Sequence, residues 1–99
     1  MKMELFTPVR AGQNATVRVY GNYELGYIKV KLNSKYVTAL PDAHPGVPSD
    51  RRMVMGPPSG QGYDVWSDPP WKAGDSVDFE LYDNATNTLQ TTCSTVVIP

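Results

Sequence analysis

Apolar and polar residues alternate along most of this chain with a period of two. In Ala15-Thr16-Val17-Arg18-Val19-Tyr20, one face takes Ala15, Val17 and Val19 and the other takes Thr16, Arg18 and Tyr20. Tyr27 to Leu32 sets Ile28, Val30 and Leu32 against Tyr27, Lys29 and Lys31. Val77, Phe79 and Leu81 alternate with Ser76, Asp78, Glu80 and Tyr82. A period of two marks a strand with one wet face, because successive side chains leave a strand on opposite sides. Charges on the wet faces suit antiparallel sheets, which tolerate solvent on one side.

Turn clusters divide these runs at short intervals. Gly21 to Gly26 separates the first two, and Asn33-Ser34-Lys35 leads into Tyr36 to Leu40 as a hairpin. Asp83 to Asn87 leads into Thr88 to Ile98, a Thr- and Val-rich run that favours a closing strand. The nine prolines, spread from Pro8 to Pro99, break any helical window. The pattern predicts an all-β antiparallel sandwich or barrel. Its expected core is Val17, Val19, Ile28, Val30, Leu32, Val37, Val54, Val65, Val77, Phe79, Leu81 and Val97.

The middle of the chain departs from the pattern. Pro41 to Asp50 and Gly56 to Gly62 read as two long loops around a short apolar strand, Met53-Val54-Met55. Loops of that length serve either as irregular crossovers between sheets or as binding elements. Elsewhere, Ala11-Gly12 to Gly21-Asn22 aligns with Ala73-Gly74 to Asp83-Asn84, with Ala, Gly, Tyr and Asn matching in register. Both units are a Gly turn feeding a strand with three inward apolar positions. Two strands solving one problem explain the match without duplication, and a solenoid needs three or more repeats.

With 99 residues the chain is one domain, spanning 1–99. A net charge of -1 leaves no basic footprint for nucleic acid. No apolar run nears the ~20 residues that span a bilayer, so no membrane insertion is expected. The N-terminus carries no apolar leader before Pro8. That implies a cytoplasmic or virion location if the chain is complete, and an extracellular one if it is a domain excised from a longer protein.

Catalytic chemistry finds little support. The lone His44 stands in a Pro-rich loop, and Cys93 sits among Thr and Ser in the last strand, as a small buried hydrophobe would. A nucleophile–base pair would have to join these two, and no nucleophile elbow is present. Asp64, Asp68, Asp75, Asp78 and Asp83 lie near one another but lack calcium-loop spacing, and Asp is an ordinary turn former. No metal site, catalytic residue or cofactor is therefore assigned. Arg51-Arg52 reads as a solvated loop pair or a carboxylate clamp.

The aromatic residues carry more information. Six Tyr and two Trp outnumber two Phe, and Tyr and Trp are the types enriched at binding surfaces. Tyr63, Asp64, Trp66, Asp68 and Trp71 form the candidate partner-binding set, with both indoles placed at one end of the fold. An aromatic face beside a carboxylate suits a sugar ring, a Pro-rich segment or an Arg-bearing protein. The competing reading makes one Trp a core plug and packs the other on proline. Tyr20, Tyr23, Tyr27 and Tyr36 suggest a second aromatic surface across the hairpin. The run Thr91 to Ile98 is uncharged, so as an edge strand it lacks the usual Lys protection and invites pairing with another chain or a second copy.

The stretch Tyr63 to Ile98 resembles the C-terminal half of bacterial immunoglobulin-like repeat domains. The likeness rests on the strand Tyr63 to Trp66, the linker Pro69-Pro70-Trp71, the turn Ala73-Gly74-Asp75, the strand Ser76 to Leu81, the turn Asp83 to Asn87 and the close Val96-Val97-Ile98. It is good over about a third of the chain. The resemblance implies an immunoglobulin-like antiparallel β-sandwich. The expected role is a non-enzymatic recognition module that contacts a protein or glycan partner through loop aromatics. The alternative is a structural accessory subunit of a virion or cell-surface assembly, which would self-associate.

Overall fold

The computed structural model describes residues 1–6, 8–41 and 50–99. His44 lies outside the described residues. The strands are β1 (Lys2–Leu5), β2 (Ala15–Tyr20), β3 (Glu24–Leu32), β4 (Lys35–Leu40), β5 (Arg52–Gly56), β6 (Gln61–Asp68), β7 (Ser76–Asp83) and β8 (Leu89–Val96). No helix is present among the described residues, hence none long and apolar enough to cross a membrane.

The strands run in the spatial order β1-β2-β6-β4-β3-β7-β8, with β5 paired to β3. All ladders are antiparallel. Strand β4 belongs to two neighbours. Lys35 to Val37 pair with β3, and Thr38 to Leu40 pair with β6. It thereby joins β1-β2-β6 to β3-β7-β8 along one side. On the other side a parallel bridge links Arg10 to Ile98, with Ile98 N–H donating to the Val9 carbonyl (2.8 Å) and Ala11 N–H to the Ile98 carbonyl (2.8 Å). The result is a nearly closed, barrel-like all-β structure.

The β3–β4 hairpin turns on Asn33 and Ser34, both at positive φ (50° and 69°), as a two-residue turn compatible with strand twist requires. Asn enters that region more readily than most residues. Here its amide donates to Asp75 (3.2 Å) and its side-chain oxygen accepts from Ser76 N–H (3.0 Å). The two Ala-Gly units adopt one local geometry, with Gly12 and Gly74 at φ 78° and 91° ahead of β2 and β7.

One cluster fills the interior. Eleven of the twelve expected core residues are buried in it, and Val37 is half-buried against it. Val37 is looser because it sits where β4 leaves β3 for β6. Met3, Val9, Ala15, Ala39 and Trp71 complete the cluster. Burying a side chain such as Phe79 or Leu81 contributes roughly 1.5–3 kcal/mol.

Three expectations change. The segment Gly56 to Gly62 is no long loop: β5 ends at Gly56, β6 begins at Gln61, and Gly60 N–H closes the turn on the Pro57 carbonyl (3.0 Å). Tyr27 stands on the outer face as its parity demands, yet is only 3% exposed. Tyr82 stacks on it (5.2 Å between centroids, 8° between planes), and the Arg51 guanidinium lies 4.2 Å from its ring centre. Arg51 and Arg52 are not a solvated pair. Arg51 bonds Asp50 (3.0 Å), while Arg52 bonds the Met53 carbonyl (2.9 Å) and covers the Tyr63 ring.

Candidate functional site

Trp71 and Trp66 meet at one end of the fold in different roles. Trp71 follows β6 and is 4% exposed. Its ring meets Phe79 edge-on at 6.0 Å between centroids. Its Nε1–H donates to the carbonyls of Arg10 (3.1 Å) and Gln13 (3.0 Å). A buried indole needs such a partner, and these bonds also hold the turn before β2. Trp66 sits on the outward parity of β6 and is 37% exposed.

Both indoles line one cleft of about 310 Å³, together with Gly12, Gln13, Asn14, Ser67 and Pro70. Ser67 is buried, and its hydroxyl donates to the Pro69 carbonyl (2.9 Å). Trp71 forms the fixed wall of this cleft and Trp66 the exposed one. Gln13 and Asn14 are exposed, and their side-chain amides make no hydrogen bond within the described residues. An amide offers donors and acceptors together. The lining therefore combines an indole face with uncharged hydrogen-bonding groups.

The other sequence candidates are placed as follows. Asp64 shares the outer face of β6 with Trp66 and accepts from the Thr16 hydroxyl (3.1 Å) on β2. Asp68 is exposed on that same face, beyond Trp66. Tyr63 has the opposite parity and leaves the group. It turns toward β5, where its hydroxyl accepts from Met55 N–H (2.9 Å) and donates to the Met55 carbonyl (3.0 Å). Sequence reasoning missed Gly12, Gln13, Asn14 and Pro70. The Ala11-Gly12 turn was visible, but nothing local in the sequence links it to a segment more than fifty residues away.

A second aromatic cluster covers the outer face of β3, β4 and β7. Tyr27, Tyr36 and Tyr82 belong to it. Tyr20 and Tyr23 do not: Tyr20 lies on β2 under the Lys2 ammonium, and Tyr23 is an exposed turn residue at φ 65°. At the centre of the cluster stands Glu80, 8% exposed. Its Oε1 accepts from Tyr36 (2.7 Å) and Tyr82 (2.9 Å), and its Oε2 faces Lys31 Nζ at 3.5 Å. Burial pushes the Glu80 carboxyl upward, but the two phenol bonds and Lys31 outweigh it and hold the group below its ordinary value. The Tyr82 phenol moves up, first through its bond with Tyr36, then through burial and Glu80. Lys29 bridges the Tyr36 and Tyr82 rings at 5.1 and 5.7 Å.

The remaining carboxylates are held by turns. Asp75 accepts from Lys72 N–H (2.9 Å) and from Asn33, which lower its pKa in that order. Asp83 accepts from the N–H groups of Ala85 and Thr86. Among the described residues no three His, Cys, Asp or Glu side chains gather as a metal site would need. Cys93 is half-buried on β8, and burial raises its thiol pKa.

Comparison with protein-family models, curated proteins and solved structures returned no match.

Proposed function

We propose that this chain is an immunoglobulin-like sandwich that works as a non-catalytic recognition module, and that the Trp66–Trp71 cleft is its ligand site. The observation that carries the reading is the cleft lining: a locked indole, an exposed indole, and two unspent side-chain amides around about 310 Å³. Concave sites with a few convergent polar groups suit compact ligands, whereas standard protein partners bury about 800 Å² of flat surface per side. The lining favours a glycan, with one pyranose face against Trp66 and its hydroxyls toward Gln13 and Asn14, while Asp64 and Asp68 flank Trp66 on the outer row of β6.

The strand order supports the fold reading. In immunoglobulin topology strands A, B and E form one sheet and C, F and G the other. Here the groups β1-β2-β6 and β3-β7-β8 run in a corresponding order, and β4 joins them into one continuous sheet. Strand β5 departs from the scheme, because it pairs with β3 and not with β6. The rival reading, a structural subunit that self-associates, rests on the uncharged length of β8.

The test is an NMR titration with a panel of neutral oligosaccharides and a Pro-rich peptide, on wild type and Trp66→Ala. Saccharide-dependent shifts at the Trp66 indole and the Gln13 and Asn14 amides, weakened tenfold or more in the variant, are expected. Silence at these positions with millimolar saccharide overturns the glycan assignment. Shifts there with the peptide alone reassign the cleft to a protein partner.

A further inference from the structure

The outer face of β1, β2 and β6 carries a cation that the fold leaves unused. Arg18 stands on β2, with Glu4 opposite it on β1 and Gly62 opposite it on β6. Its aliphatic stem lies against Gly60, where a Cβ would meet Arg18 Cδ at 2.9 Å. Its guanidinium lies 5.5 Å from the centre of the Phe6 ring. The Arg18 Nε is buried and has no hydrogen-bond partner, the one such side-chain atom among the described residues. Arg18 as a whole is half-buried, so the outer Nη edge of the guanidinium stays within reach of solvent. Buried donors are nearly always paired, and each exception calls for an explanation.

Two carboxylates share this face with Arg18, and neither pairs with it. Glu4 accepts from the Tyr20 hydroxyl (3.5 Å) and Asp64 from the Thr16 hydroxyl (3.1 Å). Arg18 forms no ion pair among the described residues. The wall formed by β1 and Phe6 is held from both sides. Phe6 N–H donates to the Thr16 carbonyl (3.0 Å), and the other edge of β1 lies along β8, where the Cys93 thiol donates to the Met3 carbonyl (3.6 Å). Strand β8 is therefore no open edge. Above Gly62 the face is empty, since a Cβ placed there meets nothing within 4 Å. That gap continues the outward row of Trp66, Asp64 and Gly62 along β6. Four residues of strand set it about 13 Å from Trp66, within the reach of a short oligosaccharide.

We propose, resting on the glycan reading of the Trp66–Trp71 cleft, that the site continues along this row and that Arg18 receives a sugar carboxylate. The ligand is then an acidic oligosaccharide with an isolated uronate. A guanidinium stays charged and presents its donors in one plane. With the stem against Gly60 and the Phe6 ring beside it, the open edge of Arg18 has the geometry that pairs with a carboxylate. Gly62 supplies the space that the carboxylate enters, where the next outward position of β6 carries Asp64. Glu4 and Asp64 limit the charge that the face accepts. One carboxylate finds its partner in Arg18, whereas a chain with an acid on every sugar meets like charge on both sides.

The test is an NMR titration of the whole chain with matched tetrasaccharides. Cellotetraose, maltotetraose and mannotetraose are each used in neutral form and with one terminal sugar, at either end, oxidised to its uronate. At low salt the uronate form is expected to bind tenfold or more tighter than its neutral partner. Shifts are expected at the Gly62 amide and the Arg18 Nε–H as well as at the Trp66 indole. Arg18→Gln is expected to abolish this gain and keep the neutral affinity. Gly62→Thr, whose Cβ meets no neighbour, is expected to do the same by filling the gap, and it guards against a change of fold in the first variant. Equal affinity for the two forms, or a gain that survives Arg18→Gln, overturns the inference and leaves the glycan reading of the cleft standing. Silence at the Trp66 indole with every saccharide overturns both. Tetragalacturonate binding more tightly than the single-uronate forms overturns the limit assigned to Glu4 and Asp64.

Discussion

The two aromatic clusters of this molecule differ in what their polar atoms are doing. On the outer face of β3, β4 and β7, the Tyr27 hydroxyl donates to Asn87 (2.8 Å), and those of Tyr36 and Tyr82 donate to Glu80. Lys29, Lys31 and Arg51 lie over the tyrosine rings. Every polar tip is paired within the domain. At the Trp66–Trp71 end, Trp71 and Ser67 spend their donors inside the fold, while Trp66, Gln13 and Asn14 hold theirs in reserve. Both clusters contain the residue types that mark binding surfaces. The aromatic count alone cannot separate them. The state of the hydrogen-bonding groups does, because a satisfied network stabilises the fold and an unsatisfied, solvated one is free to meet a ligand.

The largest expected effect that sharpens this contrast lies in Trp71. Trp71→Ala removes the plug against Phe79, leaves the Gln13 carbonyl without its indole donor, and leaves the Arg10 carbonyl only the Gln13 N–H. A loss of about 3–5 kcal/mol in denaturant unfolding is expected. A loss near zero would move Trp71 from the core to the ligand.

Next in size is Glu80→Ala, which strips two phenols and Lys31 of their common acceptor. It should cost about 1–3 kcal/mol. The same carboxylate gives stability a sign with pH. The folded-state pKa of Glu80 lies below the unfolded value of 4.5, so its contribution is present above that value and is lost as pH falls through the folded-state pKa. Acid titration of wild type should therefore lose more stability below pH 4.5 than titration of Glu80→Gln, whose side chain does not titrate. Parallel acid curves for the two proteins would break the account of this face as a charged, stabilising network.

The smallest expected effect is Trp66→Ala. Its indole is partly in solvent and makes no hydrogen bond within the described residues, so unfolding should change by about 1 kcal/mol or less. A loss as large as that of Trp71→Ala would make both indoles structural and remove the distinction between the clusters.

Much of the fold was legible in the sequence, for a local reason. Alternation assigns each residue of a strand to a face without reference to any other strand. Val17, Val19, Ile28, Val30, Phe79 and Leu81 are buried as their parity requires. The Asn33-Ser34 hairpin and the Ala-Gly turns ahead of β2 and β7 are equally local, since they depend on which residues accept positive φ. Of the candidate site, Trp66, Asp64 and Asp68 were legible as one outward row of β6 for the same reason.

Tertiary structure decided what parity cannot see. Parity places Tyr27 outward, yet Arg51 and Tyr82 bury it, and Tyr82 is more than fifty residues away. Tyr63 lies within the same six residues of sequence as Trp66 and Asp68 but faces β5. Gln13 and Asn14 meet Trp66 only because Trp71 ties the turn before β2 to the segment after β6. The sequence determined which side chains leave each strand on which side. Which of those sides is covered, and by what, followed from the order in which the strands assemble, because burial and pairing are properties of neighbours that the chain brings together only when folded.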